Sequence, residues 1–236
     1  MHRIIIPTFN RFDKVSNFIK SSGSTCITVV DDASTAQTPS RSTVKFLKKL
    51  YGVETIVNEK NLGIIGNHKY IASLFDGGTI FIINDDDWVS SDTLECCRTL
   101  IESRLPYCLE IIERSETTDQ SIEYYIDDFA NPDVRVRVNS FLKHQSDWLL
   151  HGIIPVEAFE LNLEFKFYKN RPDMWGRLVF LKTLMDGPIC KIDVPYIYTS
   201  DSKKFYSVSP YIIFHKLFVL VIGLVVVFLC VIFKYF

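Results

Sequence analysis

Ile80-Phe81-Ile82-Ile83-Asn84-Asp85-Asp86-Asp87-Trp88 is the stretch that decides the fold of this chain. Its first four residues are all apolar, which predicts a strand buried on both faces, as in the middle of a parallel sheet. Three carboxylates follow without a break. In open α/β sheets, ligands bind just beyond the carboxyl ends of the strands. The stretch therefore predicts a central strand that ends at a binding site.

The three carboxylates at 85–87 indicate a site for a divalent cation and phosphate. Side chains alternate on an extended backbone, so we expect Asp85 and Asp87 to share one side and Asp86 to take the other. Without a cation, mutual repulsion would raise the pKa of at least one of them. Mg²⁺ and Mn²⁺ favour such carboxylate oxygens. The alternative is a polar loop in which Asp87 or Asp92 caps the next helix.

Composition narrows the possible classes of protein. The chain has 236 residues, of which 47% are hydrophobic and 23% charged, which is typical of one large or two small globular domains. The net charge of −2 gives no support for nucleic-acid binding. The six cysteines show no metal-ligand spacing, so neither a zinc site nor a disulfide framework is indicated. We expect no signal peptide at the N-terminus.

The C-terminal end is strongly apolar. Residues 217–233 are apolar throughout, and 211–214 extend this run across His215-Lys216. Its length is close to the ~20 residues that cross a bilayer. Three lysines precede the run and one follows it, so the positive-inside rule places the N-terminal domain in the cytoplasm. We expect a linker at 201–210 and a membrane helix at 211–236 that spans the bilayer or lies in one leaflet. A buried core helix is the alternative.

Predicted strands and helices alternate up to residue 104. This order predicts a doubly wound, mostly parallel sheet flanked by helices. It aligns three strand ends on one edge of the sheet, at Pro7, Asp31-Asp32 and 85–87. Asp92 with Glu95 resembles a capping box that opens the fourth helix. The four strands are predicted at 4–6, 27–30, 53–57 and 80–83.

The second half of the chain is less regular. A loop at 170–173 precedes a predicted helix whose apolar stripe runs from Met174 to Met185. We interpret 105–200 as a substrate-facing half that packs on the first sheet. The strands of this half are predicted at 107–112, 134–138, 149–154 and 189–194.

Five short stretches, in order, resemble the family 2 glycosyltransferases, which have a GT-A fold. The resemblance is strongest in the N-terminal half and extends loosely to about residue 200. It implies a GT-A domain at 1–200, with a nucleotide-sugar-binding half at 1–104 and an acceptor half at 105–200. The stretches are Ile-Ile-Pro-Thr-Phe-Asn-Arg at 5–11, Val-Val-Asp-Asp-Ala-Ser at 29–34, Asn-Leu-Gly at 61–63, Gly-Asn at 66–67 and Phe-Ile-Ile-Asn-Asp-Asp-Asp-Trp at 81–88.

The resemblance implies a set of donor-binding residues. Asp32 would accept a hydrogen bond from the base, and the loop that contains Asn61 and Gly63 would close over the nucleotide. The alternatives are an Asx turn at Asp31-Asp32 and a plain left-handed turn at Gly63. The residues that would line the base and ribose are Pro7, Thr8, Asn10 and Arg11.

The family's Asp-x-Asp motif corresponds to Asn84-Asp85-Asp86, with asparagine in place of the first aspartate. The resemblance implies that Asp85 faces the ribose and that Asp86 binds Mn²⁺ or Mg²⁺. Asp87 is the second candidate for the metal.

The resemblance also implies a general base at Asp173, the position in the family where an aspartate or glutamate opens a later helix. Family members often carry a glutamate before it, whereas this chain has Pro172. The alternative is that Asp173 simply caps the helix. Trp148 and His151 would lie near the acceptor, or are packed core residues.

These roles together imply an inverting, metal-dependent transfer of one sugar from a nucleoside-diphosphate sugar to a glycan hydroxyl. The Gln-x-x-Arg-Trp motif of processive synthases is absent, which favours single addition. The predicted tail suits a lipid-linked acceptor in bacterial surface-polysaccharide synthesis, such as O-antigen or capsule, on the cytoplasmic face of the inner membrane. The alternative is a catalytically inactive, membrane-tethered nucleotide-sugar-binding protein, because the motifs at Asn84 and Pro172 are incomplete.

Overall fold

A computed structural model describes residues 1–35, 41–114, 119–122, 127–144, 152–160 and 172–199. These residues form a nine-stranded sheet with helices on both faces, so the predicted α/β class is confirmed. The strands are β1 Ile4–Thr8, β2 Ile27–Asp31, β3 Glu54–Val57, β4 Thr79–Ile82, β5 Trp88–Val89, β6 Tyr107–Arg114, β7 Asp119–Ile122, β8 Gly152–Pro155 and β9 Cys190–Thr199. The helices are α1 Phe12–Ser22, α2 Arg41–Tyr51, α3 Gly63–Ser73, α4 Ser91–Glu102, α5 Val134–His144 and α6 Pro172–Asp186, with short 3₁₀ helices at Asp127–Ala130 and Val156–Glu160.

The strand order is β3-β2-β1-β4-β8-β6-β9-β5, with β7 paired to β6. The first half is parallel throughout, because β1 pairs with β2 and β4, and β2 pairs with β3. The second half is mixed, since β8 is antiparallel to both β4 and β6. Chain order changes direction at β1, which lies between β2 and β4. Such a switch point leaves a crevice at the carboxyl ends of the two diverging strands.

β1 and β4 separate after a short pairing, and this separation opens the crevice. Ile4 pairs with Phe81 and Ile5 with Ile82, and the last bond runs from the Ile83 amide to the Ile5 carbonyl. Pro7 lies beyond this pairing, on the side of β1 where β4 has already turned away. Its missing N–H therefore costs no hydrogen bond of the ladder.

Apolar residues cover both faces of the parallel half with the period of two that strands require. Ile5, Ile80 and Ile82 belong to the core on the side of α3, α5 and α6. The residues between them belong to the core on the side of α1, α2 and α4. All four residues of β4 are buried, as its unbroken apolar run predicted.

The segment at 134–138 was predicted as a strand, and this prediction was wrong, because it forms the start of α5. Valine at every second position gives it a strand-like pattern. Asp133 overrides that pattern as a helix cap, since its carboxylate accepts from the Arg135 amide at 2.9 Å. The carbonyl of Asp133 also accepts from the Val136 and Arg137 amides.

The cap of α4 is two positions earlier than the sequence pattern predicted. Ser90 is the N-cap residue, and its hydroxyl accepts from the Thr93 amide at 3.1 Å. Asp92 lies in the first turn of the helix, where its negative charge interacts favourably with the positive end of the helix dipole.

Several predictions fall on residues outside the described ranges. These are the linker at 201–210, the membrane helix at 211–236, Trp148, His151 and the first part of the strand predicted at 149–154. Within the described ranges, no helix is both long enough and apolar enough to cross a bilayer.

Arg137 joins α5 to the end of α6. Its side chain is buried, with 3% of the residue exposed. Its Nε donates to the Leu184 carbonyl at 2.6 Å, and its Nη1 donates to the carbonyls of Asn131 and Pro132 at 2.6 and 2.8 Å. The carbonyls in the last turn of a helix lack intrahelical partners and attract cations. Arg137 therefore fixes the C-terminal end of the helix whose first turn contains Asp173.

We expect Arg137→Met to lower the free energy of unfolding by about 2–4 kcal/mol, because three carbonyls lose a charged donor while the apolar stem is kept. Urea denaturation would measure this loss. Arg135→Met is the matched control on the same helix, since Arg135 is exposed and pairs with Asp133 at the surface. It should cost about 0–1 kcal/mol. Equal losses in the two variants would contradict the role of Arg137.

His68 packs in the core beside α6. The Ile64 carbonyl lies 2.7 Å from its Nδ1 and can only accept, so Nδ1 carries the proton. The ring stacks on Phe159 and meets Trp175 edge-on, with centroids 6.4 and 5.5 Å apart. Burial lowers the pKa of His68, and the opposing effects of the Ile64 carbonyl and the Asp32 carboxylate are smaller. The imidazole is therefore neutral in the folded chain at neutral pH.

The lowered pKa of His68 predicts a loss of stability in mild acid. The pKa of His68 in the folded chain lies below its value of about 6.5 in the unfolded chain. The contribution of His68 to stability is therefore fully present above about pH 6.5, and it is lost as the pH falls and the unfolded chain takes up the proton. The slope reaches at most about 1.4 kcal/mol per pH unit. His68→Gln keeps a donor but does not titrate. Denaturation curves between pH 7 and 5 should show a flatter pH dependence for this variant, and identical slopes would contradict the prediction.

Candidate active site

A cavity of about 310 Å³ lies at the carboxyl ends of β1, β2 and β4, where the sequence predicted a site. Eight of the residues predicted to bind donor or metal line it, namely Pro7, Thr8, Arg11, Asp32, Asn61, Gly63, Asp85 and Asp86. The other lining residues are Phe9, Ile64, Asn67, His68 and Asn84. The predicted residues Asn10 and Asp87 are not part of this lining.

Asp85 is a buried acid that lines the cavity at the end of β4. Its Oδ2 accepts from the Thr8 hydroxyl at 2.8 Å and its Oδ1 from Arg11 Nη1 at 2.9 Å. Burial raises the pKa of Asp85 above its ordinary value, although the hydrogen bond from Thr8 and the charge of Arg11 oppose this effect. The end of β4 is thus tied to the loop that follows β1.

Asp86 shares the same arginine. Arg11 Nη1 donates to Asp86 Oδ2 at 2.7 Å, and Lys14 Nζ lies 3.9 Å from the same oxygen. A single guanidinium nitrogen therefore bridges the carboxylates of Asp85 and Asp86. Lys14, on the first turn of α1, was not predicted as part of the site.

The three aspartates do not alternate as an extended strand would require. Residues 85–86 form a turn, in which the Asp87 amide donates to the Asn84 carbonyl at 3.2 Å. Asp85 and Asp86 consequently both contact the guanidinium of Arg11. Asp87 is buried and accepts from the Asn84 side chain at 2.8 Å. Asn84, which replaces the first aspartate of the motif, therefore has a structural role toward Asp87.

Asp32 organises the loop before α3. Its carboxylate accepts from the amides of Leu62 and Gly63 at 2.8 and 2.9 Å, and from the Asn58 side chain at 2.9 Å. Asn58 also donates to Asn67 at 2.9 Å. Gly63 has a φ of 70°, a conformation that glycine adopts without steric cost. Asp32 thus shapes the cavity wall, and its predicted contact with a nucleobase stays a prediction.

The loops after β1 and β2 hold each other. The Asn10 amide donates to Ser34 Oγ at 2.8 Å, and the Thr35 amide donates to Asn10 Oδ1 at 3.0 Å. Asn10 and Ala33 both have positive φ, at 59° and 57°. Asn10 therefore supports the loop that carries Thr8 and Arg11.

Asp85 and Asp86 are the residues that could hold a divalent cation. Mg²⁺ is usually bound by one or two carboxylates together with substrate phosphates and water, so this pair of hard oxygen ligands fits. In the part of the chain that the structure describes, no group of three or more His, Cys, Asp or Glu side chains is arranged to bind a metal. A cation held by Asp85 and Asp86 would therefore need further ligands from the substrate.

Asp173 is the second residue of α6, whereas the sequence predicted a loop at 170–173 ahead of this helix. Two residues later, Trp175 contacts His68, which lines the cavity. The first turn of α6 therefore packs beside the cavity. His68 carried no recognisable signal in the sequence, because a single histidine on a helix is most often a core residue. The Gly-Asn stretch at 66–67 was the nearest signal.

Comparison with known proteins gives a family and a fold. The glycosyl transferase family 2 model matches residues 3–147. No curated protein matches the chain. Among solved structures, S. aureus TarS 1–349 in complex with UDP is 16% identical with a TM-score of 0.58, and covers 85% of this chain and 61% of that one. TarS 1–349 in complex with UDP-GlcNAc is 15% identical with a TM-score of 0.60, and covers 93% and 65%.

At this low identity, the likeness to TarS concerns the fold alone, and it supports a GT-A-like arrangement. The chain spans about three fifths of the length of TarS 1–349. The family match is independent of that likeness and includes β1 to β4, the loops around the cavity and the acidic turn. Because it extends over more than half of the 236 residues, the chain belongs to glycosyl transferase family 2.

Proposed function

We propose that this protein transfers a single sugar from a nucleoside-diphosphate sugar to a hydroxyl of a glycan acceptor, with inversion at the anomeric carbon. The observation that carries the proposal is the cavity at the β1–β4 crevice, where the buried Asp85, the partly exposed Asp86 and Arg11 meet inside the family 2 domain. The complexes of TarS with UDP and with UDP-GlcNAc support the proposal that the donor is a nucleotide sugar.

In this proposal, Asp85 and Asp86 hold a divalent ion, Mn²⁺ or Mg²⁺. Such an ion neutralises charge on the leaving diphosphate, an effect worth several kcal/mol. Thr8 orients the Asp85 carboxylate by a hydrogen bond to Oδ2, and Arg11 donates to Oδ1. The bond from Thr8 holds Asp85 in place whether Oδ1 contacts Arg11 or the ion.

Asp173 is the proposed general base, which takes the proton of the acceptor hydroxyl. Its place in the first turn of α6 supports this role, because a rigid element holds it beside the donor cavity.

The acceptor is proposed to be lipid-linked, and the pathway to be bacterial surface-polysaccharide synthesis at the cytoplasmic face of the inner membrane. The apolar run at 217–233 supports this location, because it would confine the enzyme to the surface that carries its acceptor. Trp148 and His151 remain candidates for acceptor contacts.

The activity can be tested by nucleotide release from a panel of UDP-, GDP- and dTDP-sugars in the presence of Mn²⁺. We expect release from at least one donor. Asp173→Asn should reduce turnover by ~10²–10⁴-fold while nucleotide binding is kept, because proton transfer is lost and the cavity is intact. Asp186→Asn is the control at the exposed C-terminal end of the same helix, and its turnover should match the wild type.

A wild-type protein that binds nucleotide but releases none from any donor would contradict the proposal and favour the inactive binding protein. Full turnover in Asp173→Asn would contradict the base assignment alone. Asp86→Asn should weaken the dependence of turnover on Mn²⁺, which a titration of the ion would measure.

A further inference from the structure

Arg11 is placed where a helix disfavours it. It is the N-cap residue of α1, and its side chain makes no capping hydrogen bond. Ser, Thr, Asp and Asn are preferred at this position, and a cation near a helix N-terminus costs about 0.3–1 kcal/mol. Lys14 lies in the same first turn. The acid pair at the end of β4 accounts for both cations, because Arg11 and Lys14 approach it from the α1 side.

The contact of Arg11 has the form of a bridge. The same Nη1 lies 2.9 Å from Asp85 Oδ1 and 2.7 Å from Asp86 Oδ2, so one nitrogen fills the space between two carboxylates. These are the carboxylates assigned above to a divalent ion. Two cations cannot occupy one position between the same two oxygens, so Arg11 and the ion exclude each other there.

The side chain of Arg11 is more exposed than either carboxylate that it bridges. Nearly half of it is exposed, at 48%, whereas the Asp85 side chain is 9% exposed and fixed from its other side by Thr8. Among the described residues, only Nη1 of the guanidinium has hydrogen-bond partners. Arg11 thus keeps Nε and Nη2 available for a second anion while it lines the cavity.

The charges of the four side chains at the bridge, Asp85, Asp86, Arg11 and Lys14, balance in two arrangements. Asp85 and Asp86 carry two negative charges, and Arg11 and Lys14 carry two positive charges. A donor diphosphate adds about one negative charge per phosphate. With a divalent ion on the aspartates, both basic side chains become available to the diphosphate, and the total again approaches zero. An arrangement that left Arg11 on the aspartates would leave the diphosphate without that cation.

We propose that Arg11 is an exchangeable counter-ion: it competes with the divalent ion for Asp85 and Asp86, and once released it binds the donor diphosphate. Both steps rest on the divalent-ion site of the proposed function, and the second step also rests on its diphosphate donor. In this view Arg11 neutralises Asp85 and Asp86 while the site is empty of donor. It then acts as a phosphate-binding residue beyond the base and ribose contacts that the family resemblance implied.

The test is to measure binding of Mn²⁺ alone to the full chain by titration calorimetry, without nucleotide. Arg11→Gln should bind Mn²⁺ about tenfold more tightly than the wild type or better, since a cation in contact with a carboxylate shifts its affinity for another cation by this order. In saturating Mn²⁺, the same variant should bind the best of UDP, GDP and dTDP about tenfold more weakly. Arg11→Met should behave likewise, which guards against a local effect of glutamine.

Two controls separate direct competition from a general change in charge. Lys20→Gln removes the same charge from an exposed position at the other end of α1, and both affinities should stay within about twofold of wild type. Lys14→Gln should raise Mn²⁺ affinity less than Arg11→Gln, because Lys14 approaches only Asp86, at 3.9 Å.

Unchanged or weaker Mn²⁺ binding in the Arg11 variants would overturn the competition, as would an equal gain in Lys20→Gln or an absence of Mn²⁺ binding in every protein. Tighter Mn²⁺ binding with unchanged nucleotide affinity would overturn the transfer to diphosphate. If the wild type bound none of the three nucleotides, the proposed function would fail, and the Mn²⁺ comparison would still decide the competition.

Discussion

A carboxylate buried at the end of a central strand is the constraint on which this site depends. Asp85 follows a strand with no exposed residue, so its charge cannot be solvated from the sheet side. An uncompensated buried charge costs several kcal/mol, and the chain must bring partners to it. Thr8 provides one partner from the end of β1, and Arg11 provides the other from the loop that follows. The same bonds that compensate Asp85 therefore define one wall of the cavity.

The two halves of the chain meet at this wall through aromatic packing. His68 belongs to the cavity lining and also contacts Trp175 in the first turn of α6. Arg137 holds the opposite end of that helix by its bond to the Leu184 carbonyl. The helix that contains Asp173 is thus fixed at both ends, once by apolar contact and once by charge. This is the kind of support that a catalytic carboxylate needs, because small displacements from productive geometry are costly.

Much of the parallel half could be predicted because its apolar runs are short, regular and separated by turn residues. The positions of β1, β2, β3 and β4 followed from periodicity, and the shared edge followed from their alternation with helices. The turn at 85–86 could not be foreseen, since consecutive aspartates look extended when only the preceding strand is considered. The start of α5 was missed for a related reason: alternating valines outweighed the single capping signal of Asp133.

The pairing of Arg11 with two aspartates was beyond prediction because it joins residues more than seventy positions apart. Sequence patterns report local conformation and burial, whereas this contact depends on how far β1 and β4 separate. The role of Asn84 toward Asp87 is of the same kind. An asparagine that looked like an incomplete motif turns out to hold the acidic turn in shape.

Hydrogen bonds join the loops after β1 and β2, and this link has a consequence for ligand binding. Asn10 and Ala33 both sit in the left-handed region, which for residues other than glycine costs of order 1–3 kcal/mol each, and the bonds through Ser34 and Thr35 keep them there. This conformational cost is incurred when the chain folds, before any ligand binds. A ligand that enters the crevice beside Thr8 and Arg11 would consequently meet loops that are already held in shape, and its binding would cost the protein little conformational entropy.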